Sequence, residues 1–168
     1  MDIKELIYTP LSGEEMLNYN PDSRLYKYTD LYDYNDIDDV FNHFNKIILL
    51  YLTTSFNNGH WVCLFRNGDK ISFFDSYGYN VDDEEQFIKD PKLRAEFGED
   101  YKYLLDLLKK SNYSIDYNPY KLQGKYTYTC GRYVSLRLLN KHLNNEDFIN
   151  RFFSTKENPD ITVCKLIN

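Results

Sequence analysis

GHWVCLFRNGDKISFFDSYG, residues 59–78, sets two apolar, β-rich runs on either side of Asn67-Gly68. Asn-Gly flanked in this way is the strongest short-range hairpin signal and favours a two-residue type I′ turn. In that register Arg66 faces Asp69, Cys63 faces Ser72 and His60 faces Asp75. Directly opposed residues of an antiparallel pair leave one face of the sheet with Cβ atoms about 5 Å apart. Local chemistry therefore predicts a His–Asp pair at the open end of a hairpin.

Upstream, IILLYLTT (47–54) is a continuous apolar run and reads as a strand buried on both faces. Ser12-Gly13-Glu14-Glu15 has capping-box spacing and starts a short helix. Residues 19–35, rich in Tyr, Asp and Asn, read as irregular surface. Asp36 caps a helix running to about Asn45, with Ile37, Val40, Phe41 and Phe44 on one face. Downstream, a loop precedes a helix over 92–110 that carries Leu93, Phe97, Tyr101, Leu104, Leu105 and Leu108. A short strand at 113–117 and a loop from Pro119 to Thr129 follow. Cys130, Val134, Leu138 and Leu139 then share one face of a core helix. A helix over 146–153 comes next, and ITVCKLI (161–167) closes the sheet or runs along its edge. The pattern is that of a single α+β domain, 1–168, with a mixed β-sheet packed against a core helix.

The chain has 168 residues, enough for one domain with a substantial core. It shows no signal-peptide pattern and no run of eighteen apolar residues, so a soluble, non-exported protein is expected. Cys63, Cys130 and Cys164 are an odd set without paired spacing, which argues against a disulfide framework or a zinc ribbon and for a reducing, intracellular setting. A net charge of -6 argues against a nucleic-acid footprint. Lys109, Lys110, Arg132, Arg137 and Lys141 read as solvated surface. Seventeen tyrosines against a single alanine, Ala95, point to an A/T-rich genome such as large DNA viruses and their parasites carry.

LQGKYTYTCGRYV, residues 122–134, raises the chemical question. Cys130 is either a small buried hydrophobe or a nucleophile. A helix N-terminus and an imidazolium both stabilise the thiolate, the reactive form of cysteine. If the His60–Asp75 hairpin end packs beside Cys130, the imidazole serves as base and the carboxylate fixes its tautomer. Gln123 is placed to supply an oxyanion donor beside the backbone N–H of Cys130, and one such donor is worth roughly 100- to 1000-fold in rate. The alternatives are a structural cysteine, a surface His–Asp ion pair and an unremarkable loop glutamine. Cys63 lies on the strand face opposite His60 and reads as core, as does Cys164. His142 is too far along the helix to serve Cys130, and His43 reads as solvated. No cofactor is expected, and no ligand spacing suggests a metal.

GHWVCLF, FFDSYG and LQG followed by TCGRYV resemble the cysteine endopeptidases of the adenoviral-protease and ubiquitin-like-protein-protease clan. The order His, Asp, Gln, Cys is family-like, as are Trp61 after the histidine and Gly131 after the cysteine. The Gln–Gly dipeptide is similar to the adenoviral branch, and FDSYG to proteases of giant viruses and virophages. The likeness spans about residues 47–140. It implies a papain-like fold of the adenoviral/Ulp type. It also implies His60 as base, Asp75 as orienter, Gln123 as oxyanion donor and Cys130 as nucleophile. Trp61, Gly124 and Gly131 would border the substrate, in a cleft that selects glycine around the cleaved bond. Viral members process capsid or core precursors during particle maturation, which implies those precursors as partners and the infected-cell cytoplasm and the virion as locations. The DNA and disulfide-linked peptide activators of the adenoviral enzyme do not carry over to this acidic chain. Two rivals stand beside this reading: a protease or isopeptidase for ubiquitin-like modifiers, and an inactive capsid-binding scaffold. The scaffold is disfavoured because all four groups are present.

Overall fold

The hairpin forms, but around a different turn. In the computed structural model, which describes residues 1–55, 58–83, 90–96, 98 and 100–168, β3 (Asn58–Asn67) pairs antiparallel with β4 (Lys70–Phe74). Asn67 stands opposite Lys70, so Gly68 and Asp69 are the loop residues, and of these only Gly68 takes a positive φ, 60°. A type II′ turn makes that demand, with glycine in the first central position. Cys63 consequently faces Phe74 rather than Ser72. The slip is by an even number of residues, so every side chain keeps its face.

The sheet grows outward from this pair. β2 (Lys46–Ser55) runs antiparallel to β3, β1 (Ser23–Lys27) parallel to β2, and β5 (Ser114–Tyr117) parallel to β4. The order is β1-β2-β3-β4-β5, the mixed sheet of the expected α+β class. Ile47, Leu49 and Tyr51 of β2 pack into a cluster with α3 (Ile37–Phe41), a 3₁₀ helix (Tyr28–Asp33) and α5 (Tyr103–Lys110). Ile48, Cys63 and Phe65 face the opposite way, onto α6 (Cys130–Leu139), α7 (Asn145–Phe153) and α8 (Pro159–Leu166). Leu6 of α1 (Ile3–Leu6) and Met16 of α2 (Gly13–Tyr19) close that second layer. Helices on both faces explain why 47–54 is apolar without alternation. α2 carries its expected capping box: the Glu15 N–H donates to Ser12 Oγ at 3.2 Å and the Ser12 N–H to Glu15 Oε2 at 2.7 Å.

Several expectations are overturned. Residues 19–35 are not irregular surface: they hold β1 and the 3₁₀ helix, with Tyr26, Tyr28 and Leu31 buried. The helix from Asp36 stops at Phe41, where Asn42 takes a positive φ of 57°. The expected helix over 92–110 is two, α4 (Pro91–Glu96) and α5, with Gly98 at φ 73° between them; Phe97 lies outside the described residues. α5 is capped from far away, the Leu105 N–H donating to Asp82 Oδ2 at 2.6 Å. Residues 161–167 do not join the sheet but form most of α8, started by Asn158, whose side chain accepts from the Asp160 N–H, with Pro159 at its first position. Arg132 and Arg137 are not surface charges. Both are buried, and Arg137 lies over the rings of Phe65 and Phe148 at 4.6 and 4.8 Å.

Candidate active site

The chain turns as soon as β4 ends. The Gly78 N–H donates to the Asp75 carbonyl at 2.9 Å and the Tyr77 N–H to Asp75 Oδ1 at 2.8 Å. Asp at the first position and Gly at the fourth suit such a turn. Gly78 has φ 78°, and a Cβ there would stand 2.8 Å from the Pro119 carbonyl oxygen, so glycine is required on both counts. Asn118 Nδ2 braces the turn by donating to the Asp75 carbonyl at 3.0 Å. Three consecutive side chains leave this turn with separate tasks.

The Asp75 carboxylate meets His60 Nε2 at 2.8 Å, both groups buried at 1% and 4% exposure. The pair expected from the hairpin thus exists, although not as cross-strand neighbours. Tyr77, past the end of the ladder, stacks its ring on that of His60 with centroids 4.7 Å apart. With Nε2 engaged by Asp75, Nδ1 is the nitrogen left for the thiol of Cys130, which also hydrogen-bonds the ring. Burial by itself lowers the imidazole pKa, but the charge and hydrogen bond of Asp75, then those of Cys130, outweigh it and raise it to about 10. A histidine so placed holds its proton at neutral pH.

Ser76 orients Gln123. Its hydroxyl donates to Gln123 Oε1 at 2.6 Å, and its carbonyl accepts the Leu122 and Gln123 N–H groups at 2.8 and 3.0 Å. Gln123 Nε2 donates to the Thr127 carbonyl at 3.0 Å. A carbonyl only accepts, so these partners determine which way the amide points, and an amide nitrogen has a second proton to offer.

Cys130 opens α6, 7% exposed. Thr129, the residue before it, makes no side-chain cap hydrogen bond and donates instead to Asp160 Oδ1 at 2.7 Å. The first-turn N–H groups therefore lack the side-chain cap a threonine ordinarily supplies. Trp61 packs between two helix starts: a Cβ on Gly131 would lie 3.6 Å from Trp61 Cδ1, and one on Gly13 would lie 3.5 Å from Trp61 Cη2. Gly131 also faces Met16 Sδ and Leu11 Cβ at 3.1 and 3.2 Å from that virtual Cβ. Its smallness lets α2 approach the nucleophile-bearing helix.

His60, Trp61, Tyr77, Gln123 and Cys130 share the wall of an open cleft of about 970 Å³, with Leu11, Leu25 and Leu50 as its apolar side. Gly124 and Gly131 do not line it; Gly124 packs against Asp160, where a Cβ would lie 2.9 Å from Oδ2. Cys63 and Cys164 are buried in the core, and His43 and His142 are exposed away from the cleft. Among the described residues no three His, Cys, Asp or Glu side chains are grouped to hold a metal ion. No helix among them is long and apolar enough to cross a membrane. Sequence reasoning missed Ser76, Tyr77 and Asp160. The first two were signalled by their place directly after Asp75; Asp160 had no local signal, since its partners lie more than twenty-five residues away.

Fold and site together define an α+β protein in which an aspartate, a histidine and a cysteine stand in series at the start of a buried helix. No family model matches the chain. It is 39% identical over 124 residues to a Sputnik virophage protein described as "Uncharacterized protein V9", covering 72% of this chain and 70% of that one. Two solved structures of the SUMO protease Ulp1, with its catalytic cysteine oxidised to a sulfenic or a sulfinic acid, align over 99% of this chain and 79% and 81% of theirs. Their identities are 17% and 16%, with TM-scores of 0.45 and 0.43. The chain belongs to the family of the virophage protein V9.

Proposed function

We propose that the protein is a thiol endopeptidase. The observation that carries this reading is the series Asp75–His60–Cys130, closed by the 2.8 Å carboxylate–imidazole bond and ending at an uncapped helix start inside an open cleft. In the proposed cycle the Cys130 thiolate attacks a peptide carbonyl, and its sulfur–carbon bond forms as the π pair moves to oxygen. The Cys130 N–H and the second Nε2 proton of Gln123 hold that oxyanion. His60 gives its proton to the leaving amine, the carbon–nitrogen bond breaks, and a thioester remains. Water gives a proton to the now neutral imidazole as its oxygen attacks the thioester carbonyl; the carbon–sulfur bond breaks, the acid departs, and the thiolate and imidazolium are restored. Asp75 holds the tautomer throughout, and Trp61 borders the substrate.

The substrate class follows the sequence resemblance: bonds flanked by glycine, in capsid or core precursors cleaved during virion maturation. Kinship with a virophage protein supports a viral role. The test is cleavage of a proteome-derived peptide library, with new termini read by mass spectrometry. Wild type should cut beside glycine, and Cys130→Ala should make no new termini while retaining its thermal transition. A Cys130→Ala protein that cuts like wild type would sink the proposal. Cleavage confined to a folded ubiquitin-like modifier ending in Gly-Gly would keep the chemistry and reassign the substrate.

A further inference from the structure

Asp160 sits 3% exposed in the first turn of α8, remote in sequence from every residue assigned above. A buried carboxylate is costly unless its oxygens are satisfied. Oδ1 accepts from Thr129 Oγ1 at 2.7 Å and from the Tyr133 hydroxyl at 3.0 Å, and Oδ2 accepts from the Gly124 N–H at 2.9 Å. The start of α8 favours an anion there as well.

The identity of these donors gives the arrangement its meaning. Gly124 directly follows Gln123, and Thr129 directly precedes Cys130. The two ends of the loop carrying both oxyanion donors are therefore tied to the two oxygens of one rigid group. Within the loop, Thr127 Oγ1 donates to the Gly124 carbonyl at 3.0 Å while its own carbonyl receives Gln123 Nε2. The Thr129 hydroxyl, turned to Asp160, makes no side-chain cap on α6.

We infer that Asp160 is a positioning residue that sets the spacing of the Gln123 and Cys130 oxyanion donors. This rests on the endopeptidase reading. Its signature is selectivity between two reactions of one thiol: acylation builds an oxyanion, whereas alkylation by iodoacetamide does not. Asparagine in place of Asp160 cannot accept through its nitrogen, so one end of the loop is released.

The experiment uses the full chain and N-benzyloxycarbonylglycine p-nitrophenyl ester, with Cys130→Ala as background. Asp160→Asn should lower the p-nitrophenol burst rate by roughly 10- to 100-fold, the scale of a displaced donor. Alkylation of Cys130 by iodoacetamide, followed by mass spectrometry, should stay within about twofold of wild type, because neither Cys130 nor its His60 partner is touched. Thr129→Val should show the same selective loss and Thr129→Ser should recover it, which keeps the test decisive if Asp160→Asn folds poorly. Asp160→Asn or Thr129→Val acylating at the wild-type rate overturns the inference, as does a loss of acylation and alkylation in step. Wild type that releases no p-nitrophenol above background overturns the endopeptidase reading, and the inference with it.

Discussion

The behaviour of His60 turns on one neighbour. Its pKa of about 10 is held up against burial chiefly by Asp75, so the imidazolium, the proton donor to the leaving amine, persists until the pH nears that value. The kcat/KM profile of wild type on a glycine-containing peptide should therefore fall on the alkaline side near pH 10, and Asp75→Asn should move that limb down by more than a unit. An unmoved limb would show that another group sets it. The same shift has a consequence for stability. A folded-state pKa above the unfolded value of about 6.5 contributes stability that is complete below pH 6.5 and disappears as pH rises through about 10. The gap in thermal midpoint between wild type and Asp75→Asn should accordingly narrow from pH 6.5 to 10. At this scale the grouping was legible: His60, Gln123 and Cys130, singled out by residue type and order, and Trp61, by the family resemblance, line one cleft, with Asp75 buried behind His60. Ser76, Tyr77 and Asp160 were not, because their roles consist of partners that only folding brings near.

Elements show where periodicity succeeds and where it misleads. Asn67-Gly68 marked the hairpin, yet glycine's freedom rather than the pair decided the turn: Gly68 alone takes the left-handed conformation. Nothing lies within 4 Å of a Cβ placed there, so Gly68→Ala tests backbone strain by itself. It should cost about 1 kcal/mol in urea unfolding and leave peptide cleavage unchanged. A loss of several kcal/mol would mean that the turn carries more than strain. The His–Asp pair survived the register error because Asp75 lies beyond the strand, where the turn and not the ladder aims it. Residues 161–167 look strand-like through Ile, Thr and Val, but Asn158 and Pro159 start a helix and the core accepts it. Tertiary burial outranked β-propensity there. α6 departs from the one-faced reading for a related reason: it is enclosed on nearly all sides, so its arginines had to turn inward as well.

Across the whole molecule those arginines act as ties. Arg132 Nε donates to the Ile167 carbonyl at 3.0 Å, and its Nη1 donates to the Thr9 carbonyl, so both ends of the chain are fastened to the helix that carries Cys130. Arg137 closes α6 onto the start of α7, donating to the Asn140 and Leu143 carbonyls at 2.9 and 2.8 Å. Arg132→Leu leaves the buried Ile167 carbonyl and the half-buried Thr9 carbonyl without their charged donor and should cost about 2 kcal/mol in urea unfolding. It should also expose the segment around Ile167 to limited proteolysis. Wild-type resistance at both readouts would show that packing alone holds the ends.

The sequence by itself determined the α+β class, the hairpin, the capped start of α2 and the buried β2. Each of these depends on contacts close in the chain or on a period that one element repeats. Only the tertiary structure decided the parallel edges β1 and β5, the inward arginines, the break at Gly98 and the carboxylate behind the Gln123–Cys130 loop. Those depend on partners tens of residues apart, and the free energy of burying a polar group is settled by the donors that surround it once the chain has folded.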